Sequence, residues 1–374
     1  MRALRPFGFG SRRDSAAVGA SSRTRRPIAV SRRLPVAIIA ASCFAVASCS
    51  TPHEPTPTPT RTLAPYPQFA ADNVYDVDVT RAPVDPDSAA MVKGLAAQVA
   101  DHWGGVAAFN HAEYNTVIHR VDSTTPRTKV EFNDCQRKGE VPPGLHDGPA
   151  YFDDVPVPST ATTTTGTDST MSIWSPETDQ LWEFWVMDKR SDGRWQACWG
   201  GRIDEVSKSR GQFEPPYGVS ASGLTMVGTT VRIPEARAGR IDHAIGLGLI
   251  DVKAGEFRYP ATRSDGAHTA PHAIPEGTRL RLDPAVDVDT LGLTPLGAAV
   301  ARAAQKYGFI VVDRSGAVGI GGESSAPWVA RGEPDPWTEI LGGTPNYAQL
   351  KGFPWERLQV IDPGFASPAG GQTG

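Results

Sequence analysis

Cysteine is scarce in this chain, at four in 374 residues. Cys43 and Cys49 lie in and just after an apolar N-terminal run, which leaves Cys135 and Cys198. In an oxidising exterior these two are expected to form one disulfide; a metal pair or a reactive thiol is the alternative. A run long enough to cross a bilayer is missing from the N-terminal segment. Leu34–Val46 holds roughly a dozen apolar residues where a span needs about 20. An excess of positive charge is missing too. The net charge is −4 overall. Residues 1–33 hold nine arginines and one acid, so the rest of the chain keeps 28 basic and 40 acidic side chains, a net of −12. That balance argues against nucleic acid as a partner and disfavours a strongly anionic polymer. The familiar catalytic signatures are absent as well. There is no HExxH. SASGL at 220 does not match the G-x-S-x-G elbow, and GIGGE near 319 lacks both the lysine and a following helix of a phosphate loop. His268 and His272 are four apart, a metal spacing on a helix, but Pro271 and its small neighbours disfavour a helix there. No metal site and no cofactor are therefore expected.

What is present at the N-terminus is a targeting pattern. The arginine-rich segment is followed by the apolar run and then by Val46-Ala47-Ser48-Cys49, which resembles a bacterial lipobox. Residues 1–48 are read as a signal peptide and Cys49 as the lipidation site; a plain small-residue cleavage site is the alternative. Ser31-Arg32-Arg33-Leu34 partly matches a twin-arginine signal, so the export route stays open. Residues 49–71 alternate Pro and Thr with little to bury, the composition of an extended tether. The expected location is the outer face of the cytoplasmic membrane, with the membrane contacted through the lipid. About 300 residues remain, enough for a sizeable core, and 72–365 are read as one domain followed by a disordered tail, 366–374.

The domain is organised around Met171–Arg202, which carries five of the nine tryptophans. Its turn signals, Pro176–Asp179 and Ser191-Asp192-Gly193, predict three consecutive antiparallel strands. In the middle strand Leu181, Glu183 and Trp185 share one face, and Trp182, Phe184 and Val186 the other. Both faces are apolar, which predicts a central strand. Before it, Asp85 and Pro86 open a helix with Met91, Leu95 and Val99 on one face. After it, PEARAG reads as a short helix or turn. Thr294 caps a helix over PLGAAVARAAQKYG with a Leu296, Val300 and Ala304 stripe and a stop at Gly308. FIVVD and AVGIG read as a hairpin about Arg314-Ser315-Gly316. Many short strands with Gly and Pro turns predict a mainly β fold, an antiparallel β-sandwich of jelly-roll type with a few peripheral helices.

The segments PETDQLWEFWVM, WQACWGGR, GRIDHAIGL, EGTRLRLDP and AAQKYGFIVVDRSGAV resemble a family of secreted actinobacterial proteins over about Ser159–Asp362. The resemblance implies export. That family has no established activity, so no catalytic residue is carried over.

The chemistry expected from the residues centres on Glu183, an acid among tryptophans. Desolvation favours its protonated form, as a general acid requires. A glycosidase needs a second carboxylate, for which Asp242 is the first choice and Asp168 and Asp204 the alternatives. A lyase would use His243 as base and Arg202 as charge neutraliser. Trp182, Trp185, Trp199 and Arg202 would hold a sugar. Against this stands the ordinary role of strand tryptophans as core, and of Glu183 as an ion-pair partner of Arg202 or Arg240. The expected function is a surface-anchored lipoprotein that binds, and as an enzyme would cleave, a polysaccharide. The alternative is a non-enzymatic envelope lipoprotein with a structural or protein-binding role.

Overall fold

The structure, a computed structural model, describes residues 66–147 and 150–365. The expected signal peptide, Cys49, the tether up to residue 65 and the tail 366–374 lie outside these residues. The described residues all fall within one compact unit. Tyr66–Ala71, which composition assigns to the tether, already belong to it. The Tyr66 hydroxyl donates to Glu323 at 2.7 Å, and Phe69 packs on buried Tyr75. Among the described residues no helix is long and apolar enough to cross a membrane.

Strand residues outnumber helical ones, and they are shared among several sheets, none closed into a barrel. The largest sheet has six strands, in the order Ala108–Asn110, Gly319–Gly321, Ile245–Leu249, Phe309–Arg314, Arg279–Leu282, Leu358–Val360. Two helices supply apolar stripes to its core: Ser88–Asp101 through Met91, Leu95 and Val99, and Pro295–Lys306 through Leu296, Val300 and Ala304. The second helix starts as its sequence dictates. The Thr294 hydroxyl accepts from the Gly297 N–H at 2.9 Å, Pro295 follows, and Gly308 takes φ +80° beyond the end. The short helix Ile233–Ala238 likewise ends on Gly239 in the left-handed region.

The second sheet contains the tryptophan stretch, in the order Trp199–Ile203, Gln180–Trp185, Met171–Ser175, Ile118–Arg120. Gln180–Trp185 is interior to it, as an apolar pattern on both faces requires. One face packs Met171, Ile173, Trp182 and Phe184 against Val130, Phe152, Val155 and Ala197. The other packs Trp174, Leu181 and Ile203 against Val206, Phe213 and Val227. The glycine pair of WGGR follows from this double burial. A Cβ at Gly200 would lie 2.0 Å from the Glu183 carbonyl oxygen and 2.9 Å from the Phe152 ring, and one at Gly201 would lie 2.6 Å from Phe213.

Three expectations are corrected. The sheets are mixed and not purely antiparallel: Ile118–Arg120 with Met171–Ser175, Ile245–Leu249 with Phe309–Arg314, and Val130–Phe132 with Trp195–Ala197 are parallel pairs. The tryptophan stretch does not make three successive strands of one sheet. The chain leaves at Val186, which has φ +49°, makes the 191–193 hairpin in a separate three-stranded sheet, and returns at Trp199. FIVVD and AVGIG are strands but not a hairpin, because Ile245–Leu249 lies between them. The Cys135–Cys198 disulfide is formed, with a Cα separation of 5.7 Å. It fastens the end of Val130–Phe132 to the point where the chain re-enters the four-stranded sheet.

Candidate functional site

Glu183 is enclosed, with 0% exposure. Its two carboxylate oxygens accept the backbone N–H groups of Met226 and Val227, each at 3.0 Å. These are the first donors of the short helix Met226–Thr229, groups that no intrahelical acceptor can serve. Glu183 thus ties that helix to the sheet. Burial pushes its carboxyl up to about 7, against the opposing pull of the two N–H donors. With both oxygens engaged by backbone and no exposure, the carboxyl expected to act as a general acid is not presented to solvent here. Its expected partners are elsewhere in the hydrogen-bond network. Exposed Asp242 pairs with Arg240 at 2.8 Å, and buried His243 contacts Glu235 at 3.1 Å through Nε2. Among the described residues no hydrogen bond or ion pair joins Glu183 to either. Arg202 pairs with Asp204 at 2.9 Å, not with Glu183.

The tryptophans divide. Trp182 is core: it is fully buried, and its indole N–H donates to the Tyr151 carbonyl at 3.1 Å. Trp185 and Trp199 are half-buried and directly opposite each other in the register. Trp185 donates to Asp168 at 3.0 Å, which uses that carboxylate as an anchor for the ring. Trp199 belongs to an edge strand, and its neighbours form a group that the sequence did not announce. Tyr217 lies 6.2 Å from Trp199 and 5.2 Å from Tyr151, and the Arg202 guanidinium sits 4.7 Å above the Tyr151 ring. Tyr151, Trp199, Arg202 and Tyr217 are all half-buried. These rings pack against the core cluster and keep part of their surface exposed, which is what a sugar ring or an aliphatic chain could lie against.

A second group was also missed. Asp265, Glu276 and Asp313 place one carboxylate oxygen each within 4.8 Å of one another. They come from a loop, from the strand end Ile274–Glu276 and from the six-stranded sheet. Glu276 is fully buried, and neither of its oxygens makes a well-formed hydrogen bond, the Asp265 N–H being the nearby backbone donor. Burial, then the Asp313 and Asp265 charges, push its carboxyl up to about 10; burial and the Asp265 charge raise Asp313 to about 7. Arg263 lies beside the group and donates to the Gly218 and Ser220 carbonyls at 2.7 Å each. The Ala221 N–H reaches Asp313 at 3.3 Å. Residues 217–221 therefore connect the aromatic edge, through Tyr217, with the acidic group. His268 and His272 are not on a helix, and His268 approaches Asp251 at 3.4 Å.

These buried acids make a prediction. Glu183, Asp313 and Glu323 near 7 and Glu276 near 10 hold protons in the folded protein that the unfolded chain releases near 4. Their stabilisation is complete below the unfolded value and is lost as pH rises through the folded value. Half-buried His111 and buried His119 and His146, all held below their usual value by desolvation, act in the opposite sense only below about 6.5. Between pH 6.5 and 8.5, in chelator, stability should fall by on the order of 2–3 kcal/mol from Glu276 alone. A thermal scan should show a Tm lower by about 5 °C at the higher pH. A Tm that rises over that interval would refute the assignment.

No protein-family model matches the chain, and neither a curated protein nor a solved structure matches it.

Proposed function

We propose that this protein is a lipoprotein held at the outer face of the cytoplasmic membrane through Cys49, and that its β-rich domain binds a polysaccharide at the aromatic edge of the four-stranded sheet. The observation that carries this reading is the clustering of half-buried Trp199, Tyr217 and Tyr151 with Arg202 at one sheet edge. The order of basic segment, apolar run and cysteine supports the anchor. The disulfide suits an oxidising compartment. The packing of the small sheets against one face of the four-stranded sheet supports a sandwich-like arrangement with the binding edge at its rim. The reading is one of binding, with no role for Glu183 in cleavage. A protein-binding or structural envelope role is the outcome if sugars are not bound.

The test is a glycan array with the full-length chain, covering envelope and environmental polysaccharides. At least one class should bind. Trp199→Ala and Arg202→Ala should each weaken it about tenfold or more, equivalent to ~1.4 kcal/mol. No binding across the array, or binding indifferent to both substitutions, would count against the proposal.

A further inference from the structure

We propose that Asp265, Glu276 and Asp313 form a binding site for a divalent cation of the calcium class. The inference stands apart from the glycan reading and needs no sugar. The donor set is oxygen only, with no imidazole or thiolate, which selects a hard cation. The spacing fits. Ligand atoms on a sphere of about 2.4 Å, the calcium–oxygen distance, lie no more than about 4.8 Å apart, and the three carboxylate oxygens lie within 4.8 Å of one another.

Surface acids often cluster without a ligand, so the decisive feature is Glu276. Its side chain is fully buried, neither oxygen makes a well-formed hydrogen bond, and it is directed at two further acids. Buried carboxylates are ordinarily satisfied by N–H groups, as Glu183 is in this same chain. The donors nearby, the Asp265 N–H and the Arg263 guanidinium, leave both Glu276 oxygens without a well-formed hydrogen bond, and a cation would satisfy all three carboxylates. Local charge also favours it: three carboxylates face Arg263, whose hydrogen bonds go to carbonyls, and Arg314, 3.8 Å from Asp265 at the surface. Asp265 is exposed, so one of the three carboxylates meets solvent. Calcium is favoured over magnesium because it accepts six to eight oxygens in irregular geometry, whereas magnesium sheds its waters reluctantly.

The experiment uses the full-length chain, stripped with chelator and scanned thermally with calcium chloride, magnesium chloride, or sodium chloride at matched ionic strength. Calcium at 5 mM should raise Tm by at least about 2 °C, with a midpoint between about 10 µM and 1 mM. Magnesium should do less and sodium nothing. Glu276→Gln should abolish the calcium shift while leaving Tm in chelator equal or higher, since a neutral amide replaces an unpartnered carboxyl. Asp265→Asn, at an exposed loop position, supplies the same test if the buried variant fails to fold. The proposal is overturned if calcium does not shift wild-type Tm, if sodium matches it, or if the shift survives both substitutions. An equal response to magnesium would overturn the calcium class.

Discussion

Glu183→Ala should destabilise the folded protein by about 3 kcal/mol, and Glu183→Gln by about 1–2 kcal/mol. Neither should alter glycan binding. The alanine variant leaves the Met226 and Val227 N–H groups without acceptors in a closed core, at ~1–3 kcal/mol each, and opens a void. Part of that loss is offset, because a carboxyl raised to about 7 already bears a desolvation cost at neutral pH. Glutamine keeps the volume of the side chain and one carbonyl acceptor, and sets its NH2 against the other N–H, so one of the two hydrogen bonds is lost. Denaturant unfolding at pH 7 separates the two variants. Equal and small losses would mean that Glu183 does not tie the helix Met226–Thr229 to the sheet. A large change in sugar binding with intact stability would restore it as a site residue.

Reduction of the disulfide, or its replacement by Cys135→Ser with Cys198→Ser, is expected to cost more. The bridge closes a loop with a sequence separation of 63, for which chain entropy gives roughly 4 kcal/mol. In a domain of this size that lowers Tm by about 6–8 °C. The loss should begin in the small sheet of Val130–Phe132, Asp188–Lys189 and Trp195–Ala197, next to the bridge. Hydrogen exchange should show that sheet opening before Gln180–Trp185. An unchanged Tm in reductant would show that the loop is held by packing alone. The expected loss also fits a protein that works where disulfides persist.

The parts of the fold legible in the sequence are those set by local chemistry. The Thr294 cap, the Leu296, Val300 and Ala304 stripe and Gly308 specify a helix whatever lies around it. The first hairpin follows from its turn residues, and the interior position of Gln180–Trp185 from its two apolar faces. The disulfide follows from elimination once Cys43 and Cys49 are set aside. Sheet membership was not legible, because Ile245–Leu249 enters between Phe309–Arg314 and Gly319–Gly321 through contacts distant in sequence. The same limit hid the sites. Asp265, Glu276 and Asp313 lie in three separate segments with no shared spacing, and Tyr151 and Tyr217 come from loops. Glu183 drew notice as an acid among aromatics. That signal was correct about its burial, but a backbone anchor and a general acid give the same pattern in sequence.

The central claim is that the tryptophan stretch is scaffold in its middle strand and functional at its edge. The most direct measurement is the affinity of the full-length chain for its best glycan, taken side by side for Trp199→Ala and Glu183→Gln. The claim predicts a loss of about tenfold or more for Trp199→Ala, ~1.4 kcal/mol, and wild-type affinity for Glu183→Gln. The reverse pattern, with Trp199→Ala unaffected and Glu183→Gln impaired, would contradict it.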